Sequence, residues 1–263
     1  MNPQTADAFY RQVGPARFAP TEATESPWDQ SLQHGGPPAA LLLGALEREH
    51  DGAGRIVAAR VDFLGPIPRD IGEIAVQTVR PGRRVRLDAA TLTIAGRVVA
   101  RAQCWTVATA PDRSPRVEHR PGPLPPIPGP APMFPGFPQA WHYPEAIDWC
   151  PVHGAASMGP AAVWTRLRVP LMDDQPPTPL ERLAVVADSA NGISRELPLD
   201  RFLFVPTALD LALHRHPAGE WILLDARTSL AGDGIGVTTA AFSDIHGPIG
   251  SGSQPLLVEP RFR

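Results

Sequence analysis

The sequence predicts an α+β protein made of two similar halves, in each of which a curved antiparallel sheet wraps around one helix. The first observation is the segment QHGGPPAALLLGALERE at 33–49, where apolar residues from Ala39 to Leu46 cover the whole circumference of a helix. A helix that is apolar all round is surrounded by protein. Within half of a 263-residue chain, a sheet that curls around the helix provides such surroundings. The alternative, two small α+β sandwiches with one-sided helices, is disfavoured because a polar face is missing.

The second observation is a proline-rich segment that divides the chain. Residues 111–138 contain 11 of the 33 prolines. Proline lacks a backbone N–H and favours extended polyproline conformations, so this segment is not expected to join a sheet or a helix. The sequence therefore predicts an N-terminal unit at 1–110, a connector at 111–138 and a C-terminal unit at 139–263.

The third observation is that both halves show the same order of elements. In each half one helical run precedes four strand-like runs, with glycine-containing hairpin turns at equivalent points. The first half has the helical run 37–49 and the strand-like runs 56–64, 71–80, 85–94 and 97–108, and the second has 178–190 followed by 202–213, 220–229, 234–243 and 249–258. The correspondence sets Gln103 opposite Gln254 and indicates an internal duplication. A sheet wrapped around one helix is the hotdog fold, and two such halves would make a double hotdog.

Composition argues against several functional classes. The net charge of −3 gives no basic surplus for nucleic acid. All 24 basic residues are arginine, which excludes a lysine Schiff base and a Walker-type phosphate loop. No dinucleotide-binding glycine motif follows a strand and the histidines show no metal-ligand spacing, so neither a cofactor nor a metal is expected. Cys104 and Cys150 are expected to be free, buried thiols. The lack of a signal-like N-terminus and of an apolar run of about 18 residues predicts a cytoplasmic protein without a membrane span.

Residues His34, Gly35 and Gly36 stand where the first buried helix begins. A helix N-terminus presents unpaired N–H groups and a partial positive charge, and Pro37 and Pro38 suit the first turn. Glycine lets a ligand approach the backbone closely. The segment is therefore a candidate site for the oxyanion that forms when a carbonyl is attacked. The alternative is a simple turn before a core helix, with the histidine packing on its own loop.

The second half offers an acid in an apolar setting. Asp188 follows LAVVA, a run expected in the core, and burying a carboxylate without a partner is costly or raises its pKa. Asp188 is therefore a candidate general base, although it could instead cap a local turn with Ser189 and Asn191. Polar residues on the strands that face this helix could hold a water beside the acid. These are Thr228, Ser229 and Gln254.

Taken together, these residues resemble the acyl-CoA thioesterase II family of double-hotdog enzymes. The shared features are Gly-Gly before the first buried helix, Ala-Asp on the second helix, an EWILL strand ending in Thr-Ser, and Ser-x-Gln on the last strand. The resemblance implies that Asp188, Gln254 and either Thr228 or Ser229 bind and activate a hydrolytic water. The strand alignment leaves the hydroxyl open by one residue. His34, the twin prolines and the long connector depart from the family pattern.

The resemblance implies hydrolysis of acyl-CoA thioesters to a free acid and coenzyme A, in the context of fatty acid metabolism. In this mechanism the carboxylate deprotonates water while N–H groups near Gly36 receive the oxyanion. One alternative is a catalytically silent acyl-CoA-binding protein, and another is an interaction module that uses the proline-rich segment. A third, an acyl-CoA hydratase or dehydratase, needs an Asp/His pair at short spacing, which neither His34 nor Asp188 has in the sequence. The predicted fold is compatible with a homo-oligomer.

Overall fold

The computed structural model describes residues 6–49, 54–115, 117, 122–131, 133–134, 141–155 and 157–261. These residues form one sheet of thirteen strands, all paired antiparallel, together with a small number of helices. This agrees with the predicted α+β class.

The first half contributes six strands and one long helix. The strands are β1 (Tyr10–Gly14), β2 (Arg17–Pro20), β3 (Gly54–Phe63), β4 (Gly72–Arg80), β5 (Val85–Ile94) and β6 (Arg97–Ala108), and the helix is α1 (Gly36–Arg48). The second half contributes β7 (Ile147–His153), β8 (Ala161–Leu167), β9 (Phe202–Pro206), β10 (Ala208–Leu213), β11 (Ile222–Leu230), β12 (Ile235–Asp244) and β13 (Gly247–Pro260), with helices α2 (Pro179–Ala187) and α3 (Ala190–Ile193). Short 3₁₀ helices lie at Glu22–Thr24, Pro111–Arg113 and Tyr143–Ala146.

The strand order across the sheet is the same when it is followed inward from either edge. The order is β1-β2-β4-β5-β6-β3-β10-β13-β12-β11-β8-β7, and β9 pairs separately with β13. From each edge, the order begins with a two-strand hairpin, passes through three further strands and ends at one of the two central strands. There β3 pairs with β10, and Asp62 lies opposite Ala208 while Ala58 lies opposite Ala212. One central pair of strands therefore joins the two halves of the sheet.

Helix α1 has almost no exposed face because protein covers it on opposite sides. It packs against strands β3 to β6 and against α2. The close approach of the helices depends on Gly44, where an added Cβ would lie 1.9 Å from the Oε1 atom of Glu181. That buried carboxylate forms an ion pair of 2.9 Å with Arg48 at the end of α1. Over the described residues, no helix combines the length and apolar character that crossing a bilayer would require.

The amino terminus of α2 is closed by carboxylates from both helices. Its sequence TPLE forms a capping box, in which the Thr178 hydroxyl accepts from the Glu181 N–H and the Glu181 side chain accepts from the Thr178 N–H. The same hydroxyl donates to Glu47 of α1 at 2.5 Å. These contacts use the groups that a free helix terminus would offer to a ligand.

Several elements differ from the sequence-based expectation. The edge strands β1, β2, β7 and β8 lie outside the expected runs, and β7 tolerates Pro151 because it is an edge strand. The expected strand at 202–213 is divided at Thr207, with β9 paired to β13 and β10 paired to both β3 and β13. The expected helix at 178–190 ends at Ala187, where Asp188 forms the C-cap before the short α3.

The described part of the connector lies against the last two strands of the sheet. The Ala131 N–H donates to the Trp149 carbonyl on β7 at 3.0 Å, and the indole N–H of Trp164 on β8 donates to the Pro125 carbonyl at 3.1 Å. The connector therefore packs on the second half.

Both cysteines are free and buried, as predicted. Burial, with a smaller effect of nearby Asp88, raises the pKa of Cys104 to about 12, so this thiol stays protonated at neutral pH.

Candidate active site

A cavity of about 480 Å³ lies beside the central strand pair. Its walls come from the segment before α1, the end of β3, the junction of α2 with α3, and β9. Most of the lining is apolar, and the aromatic residues are Trp28, Phe63, Phe134, Trp141 and Phe204. Leu257, which is 46% exposed, lies at the outer part, whereas Trp141 and Ser189 are buried. A largely apolar cavity with a few converging polar groups is typical of a small-molecule site.

Asp188 lines this cavity from the C-terminal end of α2 and is only 3% exposed. Burial raises the pKa of its carboxyl from an ordinary 3.8 to about 7. Hydrogen bonds from the Gln254 side chain and from the backbone at Gly35 and Gly36 act in the opposite direction and favour the ionised form. A carboxyl that exchanges its proton near neutral pH is suited to general acid–base chemistry.

Gln254 on β13 holds Asp188 in position. Its Nε2 atom donates to the Asp188 Oδ1 atom at 2.9 Å and to the Asp188 carbonyl at 3.0 Å. Its Oε1 atom accepts from the Asn191 N–H at 3.1 Å, and the Asn191 side chain donates to the Phe204 carbonyl. Because both ends of the Gln254 amide are bonded, its orientation and that of the carboxylate are fixed together.

His34 approaches the other oxygen of the same carboxylate. Its Nδ1 atom lies 3.4 Å from Asp188 Oδ2 and accepts the Gly36 N–H at 3.2 Å. Burial lowers the pKa of His34 to about 3, so the ring is neutral at pH 7. Because Nδ1 accepts the Gly36 N–H, the ring proton is assigned to Nε2. Over the described parts of the chain, no three His, Cys, Asp or Glu side chains gather as metal ligands.

The two glycines allow this close packing. A Cβ at Gly35 would lie 2.7 Å from Asp188 Oδ2 and 2.8 Å from the ring of Phe63. A Cβ at Gly36 would lie 2.0 Å from the carbonyl oxygen of Val185 on α2. The start of α1 thus contacts α2 directly, and Gly35 also lines the cavity.

Tyr143 supports the site and was missed by sequence reasoning. Its hydroxyl donates to the Val185 carbonyl at 2.8 Å and contacts the Ser189 hydroxyl at 2.9 Å. Its ring stacks on His34 with 4.1 Å between centroids and 13° between planes. The only signal in the sequence is the aromatic pair of WHYP after the connector, which carries no periodicity.

The two candidate hydroxyls on β11 lie on opposite faces of the sheet, as alternate residues of a strand do. Thr228 contacts the hydroxyls of Ser194 at 2.9 Å and Thr238 at 2.7 Å, whereas Ser229 is exposed. Among the described residues, the hydroxyls that line the cavity belong to Ser26, Ser189 and Thr207. The structure thus brings Asp188, Gln254, His34 and the two glycines together, and sets Thr228 and Ser229 apart from them.

Solved structures with the same overall fold cover nearly the whole chain. A hot dog fold protein of unknown function from Alicyclobacillus acidocaldarius has a TM-score of 0.74 at 17% identity, covering 98% of this chain and 99% of its own. The TesB protein of Mycobacterium avium subspecies paratuberculosis has a TM-score of 0.70 at 16% identity, with 95% and 96% covered. The acyl-CoA thioesterase II TesB2 of Mycobacterium marinum has a TM-score of 0.68 at 18% identity, with 96% and 95% covered. At these identities the likeness shows a hotdog fold.

Family models then assign the chain more closely. The class that fold and family define is a thioesterase. The acyl-CoA thioesterase N-terminal domain model matches residues 24–107, and the acyl-CoA thioesterase C-terminal domain model matches residues 121–258. The chain therefore belongs to the acyl-CoA thioesterase family, in agreement with the resemblance seen in the sequence. No curated protein matches it.

Proposed function

We propose that this protein hydrolyses acyl-CoA thioesters to a free acid and coenzyme A, with Asp188 as the general base. The observation that carries the proposal is a buried carboxylate that lines an apolar cavity and lies against the start of α1. The apolar walls suit an acyl group, and the polar groups converge at one point of the lining, where a thioester carbonyl could be attacked.

The base acts on water. With a pKa of about 7, a large fraction of Asp188 is ionised at neutral pH, and the same carboxyl is basic enough to accept a proton from an attacking water. The water oxygen forms a bond to the thioester carbon, and the carbon–sulfur bond breaks as the tetrahedral intermediate collapses. The thiolate of coenzyme A then takes up a proton, which Asp188 can return.

His34 supplies the oxyanion donor in this proposal, and the start of α1 adds a favourable electrostatic field. Gly35 lines the cavity at the helix amino terminus, where backbone N–H groups and the helix dipole favour negative charge. The Gly35 and Gly36 N–H groups already bond the Asp188 carboxylate, and the Gly36 N–H also bonds His34, so these groups hold the acid and the imidazole in place. The Nε2–H of the neutral His34 ring is then the donor that we assign to the substrate oxygen.

The remaining predicted residues have supporting roles. Gln254 is a positioning residue, because it bonds the carboxylate on one side and the backbone of Asn191 on the other. We assign Thr228 to the packing of α3 on β11 and β12 through Ser194 and Thr238. Ser229 is exposed on the outer face and receives no role in the reaction.

We further propose that the chain is a double hotdog formed by internal duplication. The mirrored strand order and the antiparallel pairing of β3 with β10 support two units at 1–110 and 139–263, joined by the connector at 111–138. Parts of these ranges, including a minority of the connector residues, lie outside the described residues.

The decisive experiment compares Asp188→Asn with the wild type in acyl-CoA hydrolysis, monitored by release of the free thiol. Loss of a general base lowers kcat by about 10²–10⁴-fold, while binding of acyl-CoA persists. The matched control is Asp62→Asn, which changes a half-exposed carboxylate paired with Arg60 and leaves the cavity intact. Wild-type protein that binds acyl-CoA without hydrolysing any chain length would instead be a silent binder.

A further inference from the structure

One wall of the cavity is supplied by the proline-rich connector. Phe134 lines the cavity and is 5% exposed, although the segment that carries it looked like a spacer in the sequence. Its ring meets Trp141 edge to face at 5.3 Å and Trp149 at 5.0 Å. Such arrangements stabilise aromatic clusters beyond the burial of their surface. The connector therefore places an aromatic side chain at a defined point of the site.

The backbone at Phe134 is strained in a way that agrees with a fixed position. Its φ of 63° lies in the left-handed region, which is unfavourable for a residue with a bulky side chain. Such a conformation persists only where the surroundings impose it. Here the connector is held just upstream by the bond from Ala131 to Trp149 and by the bond from Trp164 to Pro125.

The Phe134 ring lies in the inner part of the cavity, beside α3. A Cβ at Gly192 of α3 would be 3.6 Å from Phe134 Cε1, and Gly192 and Asp188 line the same cavity. Trp141, which touches the ring, is also buried, whereas Leu257 and Thr207 at the outer part are exposed. An acyl group that enters past these outer residues and extends into the buried part of the cavity would meet the Phe134 ring.

We propose that Phe134 closes the buried end of the acyl cavity and limits the enzyme to compact acyl groups, namely short straight chains and aryl-acyl groups. This inference rests on the proposed thioesterase function and adds the determinant of its substrate class. The physical reason is that each methylene group that cannot enter the cavity forfeits its transfer from water. A flat aromatic acyl group can instead pack edge to face on the ring.

The test is a length profile of kcat/KM with butanoyl-, hexanoyl-, octanoyl-, dodecanoyl- and phenylacetyl-CoA. Wild-type protein is expected to favour the shorter chains and phenylacetyl-CoA. In Phe134→Ala the ratio of dodecanoyl- to butanoyl-CoA should rise at least about tenfold, as burial of two more methylene groups would give. Phe134→Leu should produce a smaller shift in the same direction, and it replaces the alanine variant in this test if that variant does not fold.

The matched control is Leu124→Ala. This residue belongs to the same connector but packs on the apolar cluster of Cys150, Ala162, Trp164 and Leu223, which does not line the cavity. Its length profile should remain that of the wild type. An equal shift in this variant would assign the effect to general loosening of the connector and would overturn the proposal.

Two other outcomes separate this inference from the proposed function. Folded Phe134 variants that hydrolyse with an unchanged profile, or a wild type that prefers dodecanoyl-CoA, overturn the role of Phe134 and leave thioester hydrolysis standing. Absence of hydrolysis by the wild type contradicts the proposed function. In that case, dissociation constants of non-hydrolysable acyl thioether analogues of the same lengths measure how well each acyl group binds in the cavity. A Phe134-dependent shift in those constants supports the inference, and its absence refutes it.

Discussion

The carboxylate of Asp188 and the Nδ1 atom of His34 lie 3.4 Å apart at the contact between α1 and α2, and burial shifts their pKa values in opposite directions. The acid reaches about 7 and the histidine about 3, so both groups are neutral over a wide range of acidic pH. Burial without a compensating charge disfavours the charged form of each residue. Raising the pH from acidic to neutral therefore ionises Asp188 while His34 stays neutral.

The rate of hydrolysis should follow the ionisation of Asp188. The base works only when deprotonated, so kcat/KM should rise with pH, reach half of its maximum near pH 7 and level off above it. His34 should not add a second ionisation between pH 5 and 9, because its pKa lies far below that range. The measurement is a pH–rate profile with thiol detection, and a midpoint near pH 4 would contradict the assignment.

Replacing the acid should stabilise the fold at alkaline pH. Asp188 has a higher pKa in the folded state than its ordinary 3.8, so the folded state binds more protons and stability falls as the pH rises from about 4 to about 7. The shift corresponds to about 4 kcal/mol when complete. Asp188→Asn removes this penalty and should raise the free energy of unfolding by about 1–3 kcal/mol at pH 8.

Urea titrations at pH 5 and pH 8 test this expectation. The difference between variant and wild type should shrink at pH 5, where most of the native carboxyl is already protonated. His34 acts in the opposite sense, because its depressed pKa contributes stability above about 6.5 that is lost as the pH falls toward 3. Equal stability of Asp188→Asn and wild type at both pH values would argue against the raised pKa.

Replacing Gln254 by methionine should impair the orientation and the ionisation of Asp188. The change keeps the size of the side chain but removes the donor to the carboxylate and the acceptor for Asn191, at a cost of about 1–3 kcal/mol in stability. Since the lost hydrogen bond favours the ionised acid, the midpoint of the pH–rate profile should move upward. A variant that only loses stability, with an unchanged midpoint, would show that Gln254 is structural.

The two glycines should respond differently to alanine. At Gly36 the new Cβ would meet the backbone carbonyl of Val185, which cannot move away, so we expect destabilisation of at least about 3 kcal/mol. At Gly35 it would meet the ends of the Asp188 and Phe63 side chains, which can shift, so activity should fall more than stability does. Thermal unfolding and hydrolysis rates measured on both variants separate these effects.

The neighbouring hydroxyls on β11 should also differ. Thr228→Val breaks contacts with Ser194 and Thr238 and should cost about 1–2 kcal/mol in stability, while the pH–rate midpoint stays unchanged. Ser229→Ala changes an exposed residue and should remain within about 0.5 kcal/mol of the wild type. A large loss of kcat in the serine variant alone would instead show that Ser229 takes part in the reaction.

Hydrophobic patterning predicted the elements that are long and regular. The apolar circumference of α1 and the alternating strands β4 to β6 are local properties, and they could be found without the partner surfaces. The edge strand β7 could not be found, because Pro151 interrupts its pattern and pairing with β8 compensates only in the folded chain. The break at Thr207 likewise depends on which neighbours β9 and β10 meet.

Site residues could be predicted from the sequence where a residue type was unusual for its sequence context. Asp188 in an apolar run and Gly35 before a buried helix are such cases, and both line the cavity. The choice between Thr228 and Ser229 was not predictable, because a shift of one residue along a strand reverses the face. Phe134 within the connector and Tyr143 after it reach the site only through the tertiary fold, which leaves no mark on their local sequence.

The amino termini of helices α1 and α2 have different surroundings. At the start of α2 the groups of Thr178 are satisfied by Glu47 and Glu181 from within the chain, whereas the start of α1 borders the cavity. The two helix termini therefore differ in their surroundings although the strand order of the sheet is mirrored. In the proposed mechanism the start of α2 holds the two halves together and the start of α1 serves the reaction, so we expect one acyl group to bind per chain.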